Sequence, residues 1–287
     1  MSDFAAALIF PQWQGAGSRK GYAAGTTFLE TLIPDDLPRA WVHCANDDLS
    51  TEDGVKGLGD LVAQAETAQH LLAHLPPGPI LTLGGDCAAD LMPILHARDA
   101  QEDPLALVYI DAHADLNAAA ESPSGHFHGM VVRALLGEAP AAFAPLIATP
   151  LRPEQLFYVS ARERDPAEDQ AIAARKLFRL VDGAPYDRLA GELQRQGYRR
   201  IYLHLDLDVL DPAVFPFIGV PAQEGWPIAK LIEFLAAFRR DFEIAGAAIT
   251  ELSLAQPDAA RLAEGAMRQI LEAGFGLQSR TGATNAG

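Results

Sequence analysis

The sequence predicts an α/β fold in which helices cover both faces of a parallel β-sheet. Apolar runs of strand length alternate with segments of helical periodicity along almost the whole chain, which is the pattern of repeated β-α-β units. The run Leu105–Ile110 is apolar throughout, as expected for a strand that is buried on both faces of a parallel sheet. The segment Pro76–Pro79 ends one predicted helix before the next strand begins.

The individual elements follow from hydrophobic periodicity and from the residues that interrupt it. Strands are predicted at short, near-continuous apolar runs, and helices at longer segments whose apolar residues recur three and four positions apart. The predicted strands are Ala5–Phe10, Ala40–Cys44, Ile80–Leu83, Leu105–Ile110, Leu156–Ser160, Ile201–Leu205 and Ala247–Thr250. The predicted helices are Val55–His74, Ala88–Ala97, Phe127–Leu136, Ala167–Lys176, Tyr186–Gln196, Ile228–Arg240 and Ala259–Ala273.

Length and composition indicate one large hydrophobic core. The chain has 287 residues, of which 49% are hydrophobic, and no change of composition divides it. We therefore expect one domain over residues 1–278, followed by a flexible tail of small and polar residues at 279–287. The formal net charge of -16 argues against a nucleic-acid partner, because phosphate binding requires clustered Lys and Arg.

Cysteine content and the first residues of the chain predict a cytoplasmic protein with reduced thiols. Cys44 and Cys87 follow two different predicted strands, so the sequence gives no argument for a disulfide. The chain opens without the basic region of a secretory signal. Its apolar runs are shorter than a membrane-spanning helix needs, so no membrane partner is expected.

Two short runs of acidic and imidazole side chains come directly after predicted strands. The first is Asp111-Ala112-His113-Ala114-Asp115, and the second contains Asp206, Asp208 and Asp211. Residues two apart in a strand point to the same side, so Asp206 and Asp208 share a face. Carboxylates this close repel one another unless cations neutralise them. Each run alone also fits a turn or a helix cap, but two runs at the ligand-binding edge of a parallel sheet favour a metal site.

Five motifs, in this order and with this spacing, resemble the ureohydrolase superfamily of arginases, agmatinases and formimidoylglutamases. The resemblance extends from about Gly84 to Glu251. The motifs are Gly84-Gly85-Asp86-Cys87, Asp111-Ala-His113-Ala-Asp115, Ser124-Gly-His-Phe-His128-Gly129, Ser160-Ala-Arg162-Glu163-Arg164-Asp165 and Asp206-Leu-Asp208-Val-Leu-Asp211-Pro212.

The resemblance implies a three-layer αβα fold with a parallel, mainly eight-stranded sheet and a pair of Mn²⁺ ions bridged by hydroxide. Asp111 and Asp206 would bridge the ions, His113 and Asp208 would complete one of them, and Asp115 would belong to the other. The metal pair would lower the pKa of the shared water, so that hydroxide attacks a guanidinium carbon near neutral pH. A homo-oligomer, trimeric or hexameric, is also implied.

The same resemblance assigns roles around the metals. Glu251 would hold the guanidinium by charge-assisted hydrogen bonds, and His128 would transfer protons. The loop after the first acidic run looks most like the arginase branch, in which Asn117 and Ser124 would bind an α-carboxylate and Asp165 an α-amino group. A purely structural role is the alternative for two of these residues. His128 would then be an ordinary loop histidine, and Glu251 would be a carboxylate that stabilises the start of a helix.

The sequence departs from the family pattern at several positions. The family usually has histidine at the place of Cys87, as a ligand of the metal that Asp115 also holds. Sulfur is softer than Mn²⁺ prefers, so we expect this second metal position to be weak or empty, with Cys87 alternatively a small buried apolar residue. Glu163, which we also expect to bind the substrate, stands where arginases usually have Asp, and Val220 stands where Thr is common. These changes put the identity of the substrate in doubt more than the type of reaction.

The leading functional hypothesis is a hydrolase of linear amidines, an amidinohydrolase that releases urea from L-arginine or a related guanidino acid. An agmatinase or formimidoylglutamase activity is the second hypothesis, and a metal-impaired, non-catalytic family member is the third. The third rests on Cys87 alone. Seven metal and catalytic residues of the family pattern are retained and argue against it: Asp111, His113, Asp115, Asp206, Asp208, His128 and Glu251.

Overall fold

The computed structural model describes residues 3–19, 21–44, 48–100 and 104–277, and within them an eight-stranded parallel sheet lies between two layers of helices. The α/β fold predicted from the sequence is thereby confirmed. The predicted tail, 279–287, lies outside the described residues. No helix in the described ranges is long and apolar enough to cross a membrane.

The elements follow one another in alternating order along the chain. The strands are β1 Ala6–Phe10, β2 Arg39–Trp41, β3 Thr51–Glu52, β4 Val55–Lys56, β5 Ile80–Gly84, β6 Leu105–Asp111, β7 Leu156–Ser160, β8 Phe178–Leu180, β9 Arg200–Asp206 and β10 Glu243–Thr250. The helices are α1 Tyr22–Leu32, α2 Leu58–Leu72, α3 Leu91–Asp99, α4 Val131–Leu135, α5 Pro166–Arg175, α6 Tyr186–Arg195, α7 Ile228–Asp241 and α8 Ala259–Phe275. Short 3₁₀ helices cover Cys87–Asp90, Phe127–Met130, Ala141–Leu146, Pro153–Gln155 and Leu207–Val209.

The strand order brings distant parts of the sequence to one edge of the sheet. Within the described residues the order is β2-β1-β5-β10-β9-β6-β7-β8, with every pair parallel, and β3 and β4 form a separate antiparallel hairpin. The neighbours β6 and β9 pair with Tyr109 opposite His204 and Ile110 opposite Leu205. Their carboxyl ends therefore meet at the same edge, which is where ligands bind in open α/β folds.

Side chains alternate between two hydrophobic cores, one on each face of the sheet. On β6, Val108 and Ile110 point into the core formed with α1, α6, α7 and α8, whereas Leu107 and Tyr109 point into the core formed with α2, α3 and α4. All residues of β5, β6, β7 and β9 are buried. This burial on both faces explains why their sequences read as continuous apolar runs.

Several predicted element boundaries are wrong, each for a local reason. The helix predicted to begin at Val55 begins at Leu58, because Val55–Lys56 belongs to the β3–β4 hairpin. The helix predicted over Phe127–Leu136 is a 3₁₀ turn followed by the short α4. Two elements were not predicted: α1, which contains Gly25 and three threonines with low helix propensity, and the three-residue β8.

Helix α1 packs closely against the segment that follows β10. A Cβ atom built on Gly25 would lie 2.0 Å from the carbonyl oxygen of Leu252, so only glycine allows this approach. The contact holds α1 beside Glu251, the residue before Leu252.

The Gly25→Ala variant should therefore be less stable than the native protein, although alanine is the better helix former. We expect a loss of about 1–3 kcal/mol from overpacking, measured as a lower midpoint of urea unfolding. Gly191→Ala is the matched control, because Gly191 is exposed within α6 with no neighbour near its built Cβ. This control should gain roughly 0.5–1 kcal/mol, and equal behaviour of the two variants would contradict the packing argument.

Candidate metal centre and catalytic cavity

Three buried aspartates converge where β6 and β9 end. Asp111 is the last residue of β6, Asp206 is the last residue of β9, and Asp208 lies in the 3₁₀ turn directly after it. Each of the three side chains is no more than 1% exposed. The parallel pairing of β6 with β9 thus concentrates negative charge inside the protein.

The first group of candidate metal ligands is Asp111, His113 and Asp208, whose ligand atoms all lie within 4.8 Å of one another. His113 Nδ1 is 2.6 Å from Asp208 Oδ2 and 3.7 Å from Asp111 Oδ1. Backbone N–H groups hold both carboxylates: His113 donates to Asp111 Oδ1, and Ala112 donates to Asp208 Oδ1. The turn after β6 therefore orients the donors of one prospective metal position.

The second group consists of Cys87, Asp111, His204 and Asp206, again with ligand atoms within 4.8 Å of one another. The Cys87 thiol donates to Asp206 Oδ2 over 2.8 Å, and Asp206 Oδ1 accepts from the backbone N–H of Asp208. All four residues are buried. Asp111 belongs to both groups, so its carboxylate can be shared between two ions.

Burial and mutual repulsion make this cluster unfavourable without a cation. Burial, and then the charge of Asp208, raise the pKa of Asp111 and of Asp206 well above the ordinary value. Burial also raises the pKa of the Cys87 thiol, as do the surrounding carboxylates, so the thiol is protonated when no metal is bound. For Asp208, burial is outweighed by the charge and hydrogen bond of His113, and the pKa is lowered.

The donor set fits divalent metal ions. Asp111 Oδ2 is buried and has no hydrogen-bond partner within the described residues, which is costly for a carboxylate oxygen unless a cation binds it. Bonds of about 2.0–2.6 Å to hard divalent cations leave two ligands of one ion no more than about 5 Å apart. The imidazole nitrogen of His113 lies within this range of Asp208 Oδ2, at 2.6 Å, and of Asp111 Oδ1, at 3.7 Å.

A histidine and a glutamate form a second polar pair near the metal ligands. His128 Nδ1 is 3.4 Å from Glu251 Oε1, and the buried hydroxyl of Tyr22 donates to Glu251 Oε2 over 2.6 Å. Burial alone would lower the pKa of His128, but the hydrogen bond and charge of Glu251 outweigh it and raise the pKa above the ordinary value. Glu251 has a φ of 64°, an uncommon conformation that folded proteins retain mainly at functional sites.

One cavity of about 170 Å³ joins the metal ligands, the His128–Glu251 pair and most of the predicted substrate residues. Asp115, Asn117, Ser124 and Asp165 line it. Glu163 is not among the described residues that line the cavity, and its side chain is exposed.

The residues of the predicted substrate end are linked to one another. Asn117 Nδ2 donates to Asp165 Oδ2 over 2.9 Å, while Asn117 Oδ1 is buried with no hydrogen-bond partner within the described ranges. Asp115 Oδ2 accepts from the Tyr109 hydroxyl over 2.7 Å, and Asp115 belongs to neither of the two ligand groups found within the described residues.

Sequence reasoning missed two residues of this site. His204 interrupts an apolar strand two positions before Asp206, and the alternation of strand side chains puts it on the same side, so this signal was present. Tyr22 gave no signal, because 229 positions of sequence separate it from its partner Glu251.

Comparison with known proteins agrees with this architecture. The model of the arginase family matches residues 34–273. Arginase from Staphylococcus aureus (strain MRSA252) is 33% identical over 156 residues, which are 50% of each chain, so the match spans about half the length of this curated relative. The N(1)-aminopropylagmatine ureohydrolase of Thermus thermophilus is 29% identical over 215 residues, 73% of this chain and 66% of that protein.

Solved structures share the fold over nearly the whole chain. Arginase from Bacillus caldovelox superimposes with a TM-score of 0.81 at 21% identity, covering 94% of this chain and 98% of that one. Formimidoylglutamase from Bacillus subtilis gives a TM-score of 0.70 at 16% identity, covering 93% and 86%. Because the family model matches most of its length, the chain belongs to the arginase family.

Proposed function

We propose that this protein is a metal-dependent amidinohydrolase that releases urea from a guanidino acid, with L-arginine as the first candidate. The observation that carries the proposal is one cavity that is lined by metal ligands, by the His128–Glu251 pair and by polar side chains suited to an amino-acid head group. Guanidino compounds are cations, and the concentration of carboxylates at this cavity attracts them.

The residues present would hold two divalent ions, with Asp111 available to both and Mn²⁺ proposed for the position at His113. His113 and Asp208 complete one position, and Asp206 belongs to the other with the residues around Cys87. Carboxylate and imidazole ligands suit Mn²⁺. Bound divalent cations lower the pKa of nearby water and so supply a nucleophile at neutral pH. Asp115, on the same cavity wall, is proposed to take part in the metal and catalytic chemistry.

Glu251 and His128 act on the guanidinium group and on the departing amine. The Glu251 carboxylate pairs with the guanidinium cation, and the Tyr22 hydroxyl fixes its orientation. When the C–N bond breaks, the amine nitrogen takes both bonding electrons and needs a proton. The raised pKa of His128 favours its protonated imidazole, so His128 is suited to donate that proton, a step worth about 10²–10⁴-fold in rate.

Asn117, Ser124 and Asp165 bind the amino-acid end of the substrate in this proposal. Asp165 is an acceptor for an α-ammonium group, and the Asn117 amide, which donates one N–H to Asp165, and the Ser124 hydroxyl are donors for an α-carboxylate. A substrate without the carboxylate is the second candidate, favoured by the similarity of 73% of the chain to a ureohydrolase named for N(1)-aminopropylagmatine. A cytoplasmic location and a homo-oligomeric state remain predictions.

The first test concerns the metal. Mn²⁺ added to chelator-treated protein should raise the thermal unfolding midpoint, because an ion that binds only the folded state stabilises it by about 2.7 kcal/mol at a concentration of 100 Kd. Asp111→Asn should lose most of this increase, yet without metal it should unfold at the same or a higher temperature, because one repelling carboxylate is gone. Asp187→Asn, exposed on α6, is the control. An unchanged Mn²⁺ effect in Asp111→Asn would contradict the proposed site.

The second test concerns the substrate. The metal-loaded protein should release urea from L-arginine faster than from agmatine, which lacks the α-carboxylate. Asn117→Ala should mainly raise KM for arginine, because it removes binding that the ground state and the transition state share, and should change agmatine turnover little. Faster urea release from agmatine would contradict the proposal that the substrate is a guanidino acid. The proposal of amidinohydrolase activity would still stand.

The third test concerns the orientation of Glu251. Tyr22→Phe keeps the buried ring and removes only the hydroxyl that donates to Glu251. Losing a hydrogen bond to a charged group costs about 1.5–3 kcal/mol, so kcat/KM for the guanidino substrate should fall at least tenfold. Tyr186→Phe, whose hydroxyl bonds Asp241 away from the cavity, should leave kcat/KM unchanged. An equal kcat/KM for Tyr22→Phe and the native enzyme would rule out this role.

A further inference from the structure

His204 lies beside Cys87 with its imidazole directed toward the buried carboxylates. It is two residues before Asp206 on β9, and its side chain is fully buried. A histidine inside an otherwise apolar strand must be held by specific partners, because an unpaired buried imidazole is costly. Its two ring nitrogens have different surroundings: Nδ1 faces a carboxylate of the core, and Nε2 faces the candidate metal ligands.

The Nδ1 side of the ring is fixed by a buried carboxylate. His204 Nδ1 lies 2.8 Å from Asp90 Oδ2, and the Tyr202 hydroxyl also donates to Asp90. The ring stacks on Tyr109, with 3.9 Å between centroids and 2° between planes. A carboxylate that accepts the proton of one imidazole nitrogen leaves a lone pair on the other, and this is how proteins orient metal-binding histidines.

The Nε2 side faces an oxygen that also lacks a proton donor. His204 Nε2 is 4.0 Å from Asp111 Oδ2, the buried oxygen without a hydrogen-bond partner within the described residues. This distance is too long for a hydrogen bond. One ion can bind both atoms, because zinc bonds of about 2.0–2.1 Å to imidazole nitrogen and about 2.0–2.2 Å to carboxylate oxygen span up to about 4.3 Å in line. The tetrahedral angle that zinc prefers would draw the two atoms together, to about 3.4 Å. The Thr250 hydroxyl lies 3.5 Å from Nε2, at the limit of a hydrogen bond.

We propose that His204 Nε2 is a metal ligand that replaces the imidazole which the family resemblance assigns to position 87. Together with Cys87, Asp111 and Asp206 it gives one nitrogen, one sulfur and two carboxylate ligands. Such a set prefers Zn²⁺ or Co²⁺ to Mn²⁺, so this chain pairs a softer ion with the Mn²⁺ position at His113 and Asp208. The inference rests on the proposed function in assuming a metal pair at this site.

The first experiment uses the native chain, so it does not depend on whether variants fold. Chelator-treated protein is loaded with one equivalent of Zn²⁺, and the zinc X-ray absorption fine structure is recorded. We expect one sulfur and at least one imidazole bound to the same ion, a combination that His113 and its neighbours cannot provide because that group has no cysteine. Zinc with imidazole but no sulfur, or with sulfur but no imidazole, would overturn the proposal.

The second experiment separates His204 from Cys87 by Co²⁺ titration. Native protein should bind two Co²⁺ ions and show the near-ultraviolet charge-transfer absorption of a cobalt thiolate. His204→Asn should lower the affinity for the second Co²⁺ ion at least tenfold. Adding Cys87→His to this variant should restore the lost affinity. His96→Asn, in α3 and outside both ligand groups, is the control. Two ions bound by folded His204→Asn with native affinity and spectrum would contradict the role.

Urea release is measured on the same samples to keep the two proposals apart. Protein that binds metal through Cys87 and His204 but hydrolyses no guanidino compound would contradict the proposed function and support this inference. An active enzyme whose His204→Asn variant keeps both ions at native affinity would contradict this inference alone.

Discussion

The structure depends most on the charge that β6 and β9 bring together at their carboxyl ends. Asp111, Asp206 and Asp208 are almost completely buried, and like charges in a low-dielectric interior repel strongly. Backbone N–H groups, the His113 imidazole and the Cys87 thiol compensate part of this charge. They leave one oxygen of Asp111 without a donor within the described residues, and the raised pKa of Asp111 shows that its ionised form needs a bound cation.

The layer beneath this cluster is polar as well, and it fixes the orientation of the ligands. On one face of the sheet, Tyr109, Tyr202 and His204 point toward Asp90, Asp115 and the carboxylates instead of filling the core with aliphatic side chains. A buried polar network that satisfies its members is rigid, so the metal ligands are held in place before any ion binds. Tyr22 supports Glu251 in the same way on the other side of the cavity.

The sequence predicted those parts of the fold that short stretches determine. The strands β6 and β9 are recognisable because burial on both faces makes them continuously apolar, and the aspartates at their ends then had to share the ligand edge. The missed parts depend on contacts between distant residues. Helix α1 has weak local propensity and packs through Gly25 against Leu252. His204 stands out in the sequence as an imidazole inside an apolar strand, but only the fold brings it beside Tyr109, Cys87 and Asp90.

The central claim is that the buried carboxylates hold two unlike cations through one shared aspartate. Anomalous X-ray diffraction at the manganese and zinc edges, from crystals grown with both metals, tests it most directly. The account predicts two peaks bridged by Asp111: manganese beside His113 and Asp208, and zinc beside Cys87 and His204. A cluster without anomalous peaks, or a zinc ion that is not bonded to His204, would contradict it.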